Sequence, residues 1–410
     1  MTNAWLPGFV RDAVPEASGV LPSQELQALV APPGPGVLPS QGIRALVRGG
    51  HIPAALPIVD RQIQPASLDL RLGDEAFRLQ ASFLPGARST IEAKLSDLSM
   101  VRMDLSRPTV FEKHCVYLVR LVERLRLPTD LAAKANPKST TGRLDVFARL
   151  ITDYGTEFER VREGYDGPLY VEVVPRTFSI IVTAGLSLSQ IRFTRGRSSS
   201  SDEQLERLHR REGLVYLDDT EPGEAVIRDG LNLSVSLRGG RETDVVAYRG
   251  RRDAPLVDLR MIDHYDAGRF WDLIRSPPGD RIILNPGDFY ILGSCERVRV
   301  PPEYAAEMVP FDPSVGEFRI HYAGFFDPGF GYGDKDITGT RAVMEVRAHE
   351  VPFVIEHGQM VGRLDYERML DVPDRIYGTA IGSSYQRQAL ALSKQFRRTV
   401  PAVQSRESQL

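Results

Sequence analysis

Short segments of alternating apolar and polar residues follow one another along most of the chain. Glycine and proline separate them, and their apolar positions are rich in β-branched residues. A period of two predicts strands with one buried face, and short strands joined by turns predict a mainly β protein of compact antiparallel barrels or sandwiches. The clearest predicted strands of the first half are Ser67–Leu72, Cys115–Leu127, Leu169–Val174, Phe178–Gly185 and Leu188–Phe193.

The second half repeats the first at a fixed distance. Val122–Ala133 matches Cys295–Ala306, and Val171–Phe193 matches Met344–Tyr366 without a gap. The offset is the same in both cases, since 295 − 122 and 344 − 171 both equal 173. One offset at both ends of a domain indicates a tandem duplication of one β-domain.

The remaining segments complete the predicted organisation. The N-terminal segment is rich in proline and glycine, and a charged run between the two halves predicts an exposed linker helix, in which Ser200 and Glu203 have the spacing of a capping box. We therefore divide the chain into an N-terminal segment (1–35), a first domain (36–197), a linker helix (198–213), a second domain (214–372) and a C-terminal tail (373–410).

Composition excludes several classes of protein. Among 410 residues, 51 Lys and Arg face 54 Asp and Glu, and a net charge of −3 argues against a protein held on nucleic acid by bulk positive charge. No apolar run approaches the ~20 residues of a membrane span, and the N-terminus lacks the pattern of a signal peptide. Two cysteines, Cys115 and Cys295, cannot form a disulfide framework or a four-cysteine zinc site. We expect a cytoplasmic protein without nucleic-acid or membrane partners.

Two features carry candidate chemistry. Six consecutive residues from Lys138 to Arg143 supply two cations, three hydroxyls and a glycine, which suit a polyphosphate, although a polar turn between strands explains them about equally well. Glu172 lies in a strand between apolar residues. Such a carboxylate either pairs with an arginine for structure or has a raised pKa for acid–base work, and the strand context alone favours the first.

Together with two further segments, these features resemble a known family. Pro137–Arg143 (PKSTTGR), Tyr170–Val173 (YVEV), Ser67–Gly73 (SLDLRLG) and the tail Tyr377–Phe396 are similar to the dCTP deaminases of the trimeric dUTPase-like superfamily. The resemblance extends from about Gly36 to Phe396, and the layout is similar to a long, fused form found in some bacteria. It implies two tandem dUTPase-like (β-clip) domains that deaminate dCTP to dUTP and ammonia.

The resemblance also implies roles for individual residues. Glu172 matches the general base, Arg143 the cation that stabilises developing charge, and Ser139 the residue that orients the water. A flexible tail closes over the nucleotide in this superfamily, and Ser384 matches a lysine that simpler deaminases carry there. The expected substrate-binding residues are Lys138, Ser139, Thr140, Thr141, Gly142, Arg143, Thr152, Asp153, Tyr170, Val171, Asp327, Tyr377, Tyr385 and Gln388.

The resemblance extends to cofactors and assembly. It implies a reaction without a transition metal, and the H-x-E and P-C-x-x-C motifs of zinc deaminases are missing. Magnesium is expected to enter with the substrate triphosphate. A homo-oligomer, with a trimer favoured, is implied, and inhibition by dTTP is left open.

The second copy departs from the first at the phosphate loop. Its equivalent, Phe311–Glu317, replaces the two cations with Asp312 and Glu317, but Glu345 survives at the position of Glu172. Asp327 lies in a turn, FFDPGFG, that resembles the sugar-packing turn of the family, which the first copy lacks. Two hypotheses follow: a composite site with loop and Glu172 from the first domain and other contacts from the second domain or another chain, or a catalytic first domain beside a decayed copy.

Two other functions remain open. Leu150–Gly155 (LITDYG) resembles a turn of dUTP diphosphatases, in which Asp153 would activate water, either alone or in a bifunctional enzyme. A non-catalytic nucleotide-binding regulator is favoured if Lys138, Arg143 and Glu172 lie far apart in the fold.

Overall fold

The computed structural model describes residues 34–218, 221–240, 243–310, 318–320, 324–332, 337–348, 350–378 and 390–397. Our expectation for residues 1–35 therefore falls almost entirely outside the described ranges. Within those ranges the molecule is mainly β, as the alternating pattern predicts, and this prediction is confirmed. None of the described helices has the length and apolar character that crossing a membrane requires.

The first domain consists of two five-stranded sheets, two strands of a third sheet and three α-helices. Its elements are β1 (Gly36–Val37), α1 (Ser40–Arg48), β2 (Leu68–Leu70), β3 (Leu72–Leu79), α2 (Ile91–Leu98), β4 (Ser99–Asp104), β5 (Thr109–Phe111), β6 (Val116–Arg126), β7 (Ala132–Pro137), α3 (Ser139–Gly142), β8 (Val146–Thr152), β9 (Arg160–Val161), β10 (Asp166–Pro175), β11 (Ile180–Val182) and β12 (Ser189–Arg195). One five-stranded sheet has the order β4-β3-β6-β10-β8, and the other has β1-β12-β7-β9 with β2 also on β12. The third sheet contains β5 and β11, joined by the strand Val257–Asp258 of the second domain.

The second domain is built around one large sheet. Its elements are α4 (Asp202–Glu212), β13 (Val215–Tyr216), β14 (Leu231–Ser236), β15 (Val245–Gly250), β16 (Val257–Asp258), β17 (Trp271–Arg275), β18 (Arg281–Leu284), β19 (Phe289–Val298), β20 (Tyr304–Pro310), β21 (Phe318–Ile320), β22 (Phe325–Phe326), β23 (Thr340–Ala348), β24 (Phe353–Glu356) and β25 (Met360–Arg368). The sheet has the order β17-β15-β19-β14-β25-β20-β22, and β13 and β23 also pair with β19.

The duplication is visible in the strand pairing. The antiparallel pair β10–β6 recurs as β23–β19, and β12–β7 recurs as β25–β20. Likewise the pair β11–β5 recurs as β24–β18. In each domain a longer segment joins the two strands of a hairpin: residues 80–98 between β3 and β4, and residues 251–270 between β15 and β17. These two connections pack differently, and this difference decides where the functional site forms.

Helix α4 differs from the predicted linker. Its N-terminus is capped by Ser201, which accepts a hydrogen bond from the backbone N–H of Gln204, so the capping box begins one residue later than the sequence suggested. Leu205 and Leu208 on its inner face are almost completely buried in the core of the second domain. The helix is therefore part of the second domain rather than an exposed connection.

The two domains pack tightly against each other. Trp271 and Phe270 of the second domain are buried in the core of the first, and β16 pairs with β11. At the interface the Lys134 ammonium binds the Glu307 carboxylate, and the Arg192 Nη1 lies 2.7 Å from the Glu367 Oε2. The relative position of the two domains is thus fixed by buried apolar and charged contacts.

Candidate functional site

The predicted phosphate loop forms a single helical turn, α3. The backbone N–H of Gly142 donates to the carbonyl of Lys138 at 3.0 Å, and that of Arg143 donates to Ser139 at 3.0 Å. The turn is tied to the strand connection beside it, because the Thr141 hydroxyl and the backbone N–H of Lys138 both donate to the carbonyl of Leu188. Thr141 is thus used for structure, which leaves the polar groups on either side of it for a ligand.

Strand β23 of the second domain faces this turn. Met344 and Val346 are buried in the second core, so the alternation of the strand directs Glu345 and Arg347 to the opposite side. There the Arg347 guanidinium pairs with the buried carboxylate of Asp145, with Nε 3.1 and 3.2 Å from its two oxygens. Asp145 has a left-handed backbone (φ 57°), and its ion pair holds the end of the loop against β23.

Arg143 and Glu345 meet at the centre of this contact. The Arg143 Nε lies 4.0 Å from the Glu345 Oε1, and both side chains are 8% exposed. Burial raises the pKa of Glu345 to about 7, although the positive charge of Arg143 opposes the shift. A carboxyl group that titrates near neutral pH is suited to accept and return a proton.

A cavity of about 170 Å³ lies between the loop and β23. The first domain, the second domain and the tail all contribute to its wall. The first domain contributes Gln64, Asp69, Pro137, Lys138, Ser139, Thr140, Gly142, Arg143 and Gln190; the second contributes Met308, Gly324, Phe325, Phe326, Asp327, Phe330, Arg341, Val343 and Glu345; the tail contributes Tyr377 and Ala391.

Two carboxylates lie toward the Lys138 end of the cavity. The Lys138 ammonium forms an ion pair with Asp69, a residue that we did not predict as part of the site although it lies in the SLDLRLG segment. Asp327, which we did predict, lies 3.9 Å from the guanidinium of Arg192. Burial raises the pKa of Asp327 to about 6, while Arg192 acts in the opposite direction.

Glu172, the predicted general base, does not line the cavity. Its carboxylate is completely buried and accepts a hydrogen bond from the Arg149 Nε at 3.1 Å, and this guanidinium stacks on the ring of Phe158. Its neighbours on the strand, Val171 and Val173, face the first core, so Glu172 faces the segment 80–98, which covers it. Glu172 therefore lies apart from the phosphate loop in this structure and has the structural pairing with Arg149, so the cavity gives no support to its predicted role as general base.

The same segment covers other predicted residues. The backbone N–H of Ile91, the first residue of α2, donates to the Asp153 carboxylate at 2.8 Å. Tyr170 packs in an apolar cluster with Ile91 and Leu95 of α2. Five predicted substrate-binding residues are absent from the wall of the cavity, namely Thr141, Thr152, Asp153, Tyr170 and Val171, and Tyr385 and Gln388 lie outside the described residues.

The residues that take these places come from the second domain. Tyr170 and Glu172 have counterparts 173 positions later, Val343 and Glu345, and both line the cavity. Glu345 could have been identified from the sequence, because the second copy keeps a glutamate at the strand position equivalent to that of Glu172. Other residues that we did not predict, such as Gln190 and Arg341, carry no such signal.

Comparison with known proteins identifies both domains. Residues 34–197 match the model of the N-terminal domain of 2'-deoxycytidine 5'-triphosphate deaminase, and residues 201–396 match that of its C-terminal domain. The chain belongs to the dCTP deaminase family. The second match begins with α4, consistent with the packing of this helix on the second core.

Individual members of the dCTP deaminase family show the same relationship. The crystal structure of 2'-deoxycytidine 5'-triphosphate deaminase from Agrobacterium tumefaciens is 48% identical, with a TM-score of 0.77, and the match covers 83% of this chain and 99% of that one. A dCTP deaminase from Halorubrum lacusprofundi is 29% identical over 34% of this chain and 67% of its own length. A "dCTP deaminase, dUMP-forming" from Halobacterium salinarum is 33% identical over 27% of this chain and 54% of its own.

Proposed function

We propose that this chain hydrolyses dCTP to dUTP and ammonia in the cavity between its two domains. The observation that carries the proposal is the buried Arg143–Glu345 contact beside a loop of cations and hydroxyls. An ionisable carboxyl for proton transfer and a set of anion-binding groups are the two requirements for this reaction on a nucleotide triphosphate. Membership of the dCTP deaminase family identifies the substrate class.

In the proposed reaction Glu345 replaces Glu172 as general base. Its carboxylate takes a proton from water, and the resulting hydroxide attacks C4 of the cytosine ring. The protonated carboxyl gives that proton to N3, then takes the proton of the new C4 hydroxyl and passes it to the amine. The C4–N4 bond breaks, and ammonia leaves as the C4 carbonyl forms. Arg143 stabilises the ionised carboxylate and developing negative charge, and Ser139 at the cavity wall orients the water.

The phosphates are proposed to bind at Lys138 and Thr140. Lys138 can exchange its ion pair with Asp69 for a phosphate oxygen, and backbone N–H groups of the loop add donors. Within the described ranges no three His, Cys, Asp or Glu side chains gather as a metal site. That magnesium enters with the triphosphate, held by phosphate oxygens and water, remains a prediction.

The alternatives are less well supported. The Asp153 carboxylate, which suggested a dUTP diphosphatase or a bifunctional enzyme, caps α2 and does not line the cavity. Glu172 does lie apart from the loop, the condition that we set for a non-catalytic regulator, but Glu345 supplies the missing carboxylate. Oligomeric state, dTTP inhibition and a cytoplasmic location stay predictions.

The test is to incubate the purified chain with dCTP and with dUTP and to measure ammonia and pyrophosphate. We expect ammonia from dCTP and no pyrophosphate from dUTP. Glu345→Gln should lower kcat by about 10²–10⁴-fold, the usual contribution of a general base. The matched control is Glu172→Gln, the same change on the equivalent strand, which should keep kcat within about threefold. Full activity of Glu345→Gln with loss in Glu172→Gln would contradict the assignment.

A further inference from the structure

The end of the described chain returns to the phosphate loop. We call residues 390–397 the C-terminal strap. The hydroxyl of Ser393 donates to the backbone carbonyl of Thr140 at 2.7 Å, and the Arg143 Nη1 donates to the carbonyl of Ala391 at 3.0 Å. The strap therefore contacts at two points, Thr140 and Arg143, the same loop that we assign to phosphate binding.

The strap is anchored just beyond these contacts. Phe396 is 3% exposed, with its ring 5.2 Å from that of Phe270 and 5.9 Å from that of Trp271, both edge to face. The Gln395 side chain donates to the carbonyl of Leu259 at 3.1 Å. The backbone carbonyl of Lys394 also accepts from the N–H of Asp263 at 2.9 Å. Lys394, which lies between Ser393 and this anchor, is thus held next to the loop.

The charges around Lys394 are unbalanced. Burial lowers the pKa of Lys394, the positive charge of Lys138 lowers it further, and the Asp69 carboxylate opposes both effects. Lys138 is already paired with Asp69, and no carboxylate in the described part of the chain lies within ion-pair distance of the Lys394 ammonium. Lys394 thus adds a second positive charge near the Lys138–Asp69 pair in a half-buried place, where an additional anion stabilises both lysines.

We propose that Lys394 is a second lysine of the phosphate subsite and binds the phosphate chain of the nucleotide together with Lys138. This inference rests on the proposed function, because it concerns the substrate of the same cavity. Each further phosphate adds negative charge, and two lysines beside the loop respond to that charge more strongly than one. Lys394 therefore favours the triphosphate over dCDP and dCMP.

The test compares Lys394→Met with the wild type. KM and kcat are measured by ammonia release from dCTP, dCDP and dCMP, and the Kd of inorganic tripolyphosphate is measured by calorimetry. We expect the KM for dCTP and the Kd of tripolyphosphate to rise about tenfold, as for one lost ionic contact, with kcat within about threefold. For dCMP, which does not reach both lysines, the KM should change by less than about threefold.

Two further variants separate charge from packing. Lys394→Arg keeps the charge and should restore most of the affinity. Arg397→Met removes an exposed cation of the same strap beyond the Phe396 anchor and should leave all constants unchanged.

The inference is overturned if Lys394→Met leaves both the KM for dCTP and the Kd of tripolyphosphate unchanged. It is also overturned if the substitution raises the KM for dCTP and the KM for dCMP by the same factor. Equal losses in Arg397→Met would overturn it as well, since a general effect of strap charge would then suffice. A wild type that binds tripolyphosphate but releases no ammonia from dCTP would refute the proposed function, while the Kd comparison would still decide the role of Lys394.

Discussion

Lys134 and Glu307 occupy equivalent positions in the two domains and bind each other across the interface. They are 307 − 134 = 173 residues apart, and the Lys134 Nζ lies 2.5 and 2.6 Å from the two carboxylate oxygens. The side-chain amide of Asn136 also donates to Glu307 at 3.1 Å. Two identical domains would bring like charges together at this place. The duplication has allowed one copy to become positive and the other negative, so the interface depends on the difference between them.

Reversing one charge of this pair should destabilise the protein. Glu307 is only 7% exposed, so Glu307→Lys would bury a second ammonium beside Lys134, and we expect a loss of roughly 3 kcal/mol in the free energy of unfolding. Adding Lys134→Glu restores opposite charges and should recover at least part of the loss. Urea unfolding followed by circular dichroism provides the measurement.

The matched control is Glu203→Lys on α4, where an exposed pair with Arg207 is lost. This change should cost less than about 1 kcal/mol, because exposed ion pairs contribute little. A double variant no more stable than Glu307→Lys would show that the Lys134–Glu307 charges do not couple.

The domains are arranged head to tail. The loop of the first domain meets Glu345 of the second, whereas Glu172 is covered by the segment 80–98, from which Phe83, Leu84 and α2 pack on the sheet. In the second domain the corresponding connection, residues 251–270, packs on the first domain instead, with Phe270 and Leu259 in its core. The face that carries Glu345 is consequently free to form the cavity with the neighbouring loop.

This arrangement predicts that variants cannot complement each other. Arg143→Ala and Glu345→Gln each damage a cavity whose described wall comes from one chain. A mixture of the two variants should therefore release ammonia from dCTP no faster than the sum of the separate proteins. The measurement is steady-state ammonia release after co-expression, with thermal unfolding as a check that each variant is folded. Activity clearly above the sum would show that Arg143 of one chain works with Glu345 of another.

The raised pKa of Glu345 predicts a pH dependence of activity. The general base must be ionised, and its pKa is raised by burial to about 7. We expect kcat/KM for dCTP to rise about tenfold between pH 6 and pH 8 and to level off above that. A rate profile that is flat over this range would contradict Glu345 as the base.

Stability should show the opposite trend with pH. The pKa of Glu345 is about 7 in the folded state against an ordinary value of 4.5, so between these values the folded protein binds more protons than the unfolded chain. The free energy of unfolding must then decrease as the pH rises through this window. Glu345→Gln lacks this contribution. Relative to the variant, the wild type should lose on the order of 3 kcal/mol between pH 4.5 and 7, and a constant difference would contradict the shift.

Sequence patterns were sufficient to predict the strands and the loop, but they did not show which of the two glutamates, Glu172 or Glu345, lies at the cavity. Alternation of apolar residues depends only on local burial, and the chemistry of Lys138–Arg143 depends only on residue types, so both could be predicted. Glu172 and Glu345 lie in equivalent strands with similar apolar neighbours. Their roles differ because one connecting segment covers Glu172 and the other leaves Glu345 exposed to the partner domain, and such a tertiary contact has no local pattern.

Asp153 offers a test of the alternative chemistry. Its carboxylate accepts the hydrogen bond of the Ile91 N–H at the start of α2, where a negative charge is also favourable, so Asp153→Ala should lower the free energy of unfolding by about 1 kcal/mol. Thr90→Ala removes the neighbouring N-cap, whose hydroxyl accepts from the Ala93 N–H at 3.3 Å, and should have a similar cost. Neither variant should change the rate of ammonia release from dCTP, because neither residue lines the cavity. If the wild type releases pyrophosphate from dUTP and Asp153→Ala alone abolishes that release, Asp153 activates water after all and the diphosphatase interpretation is restored.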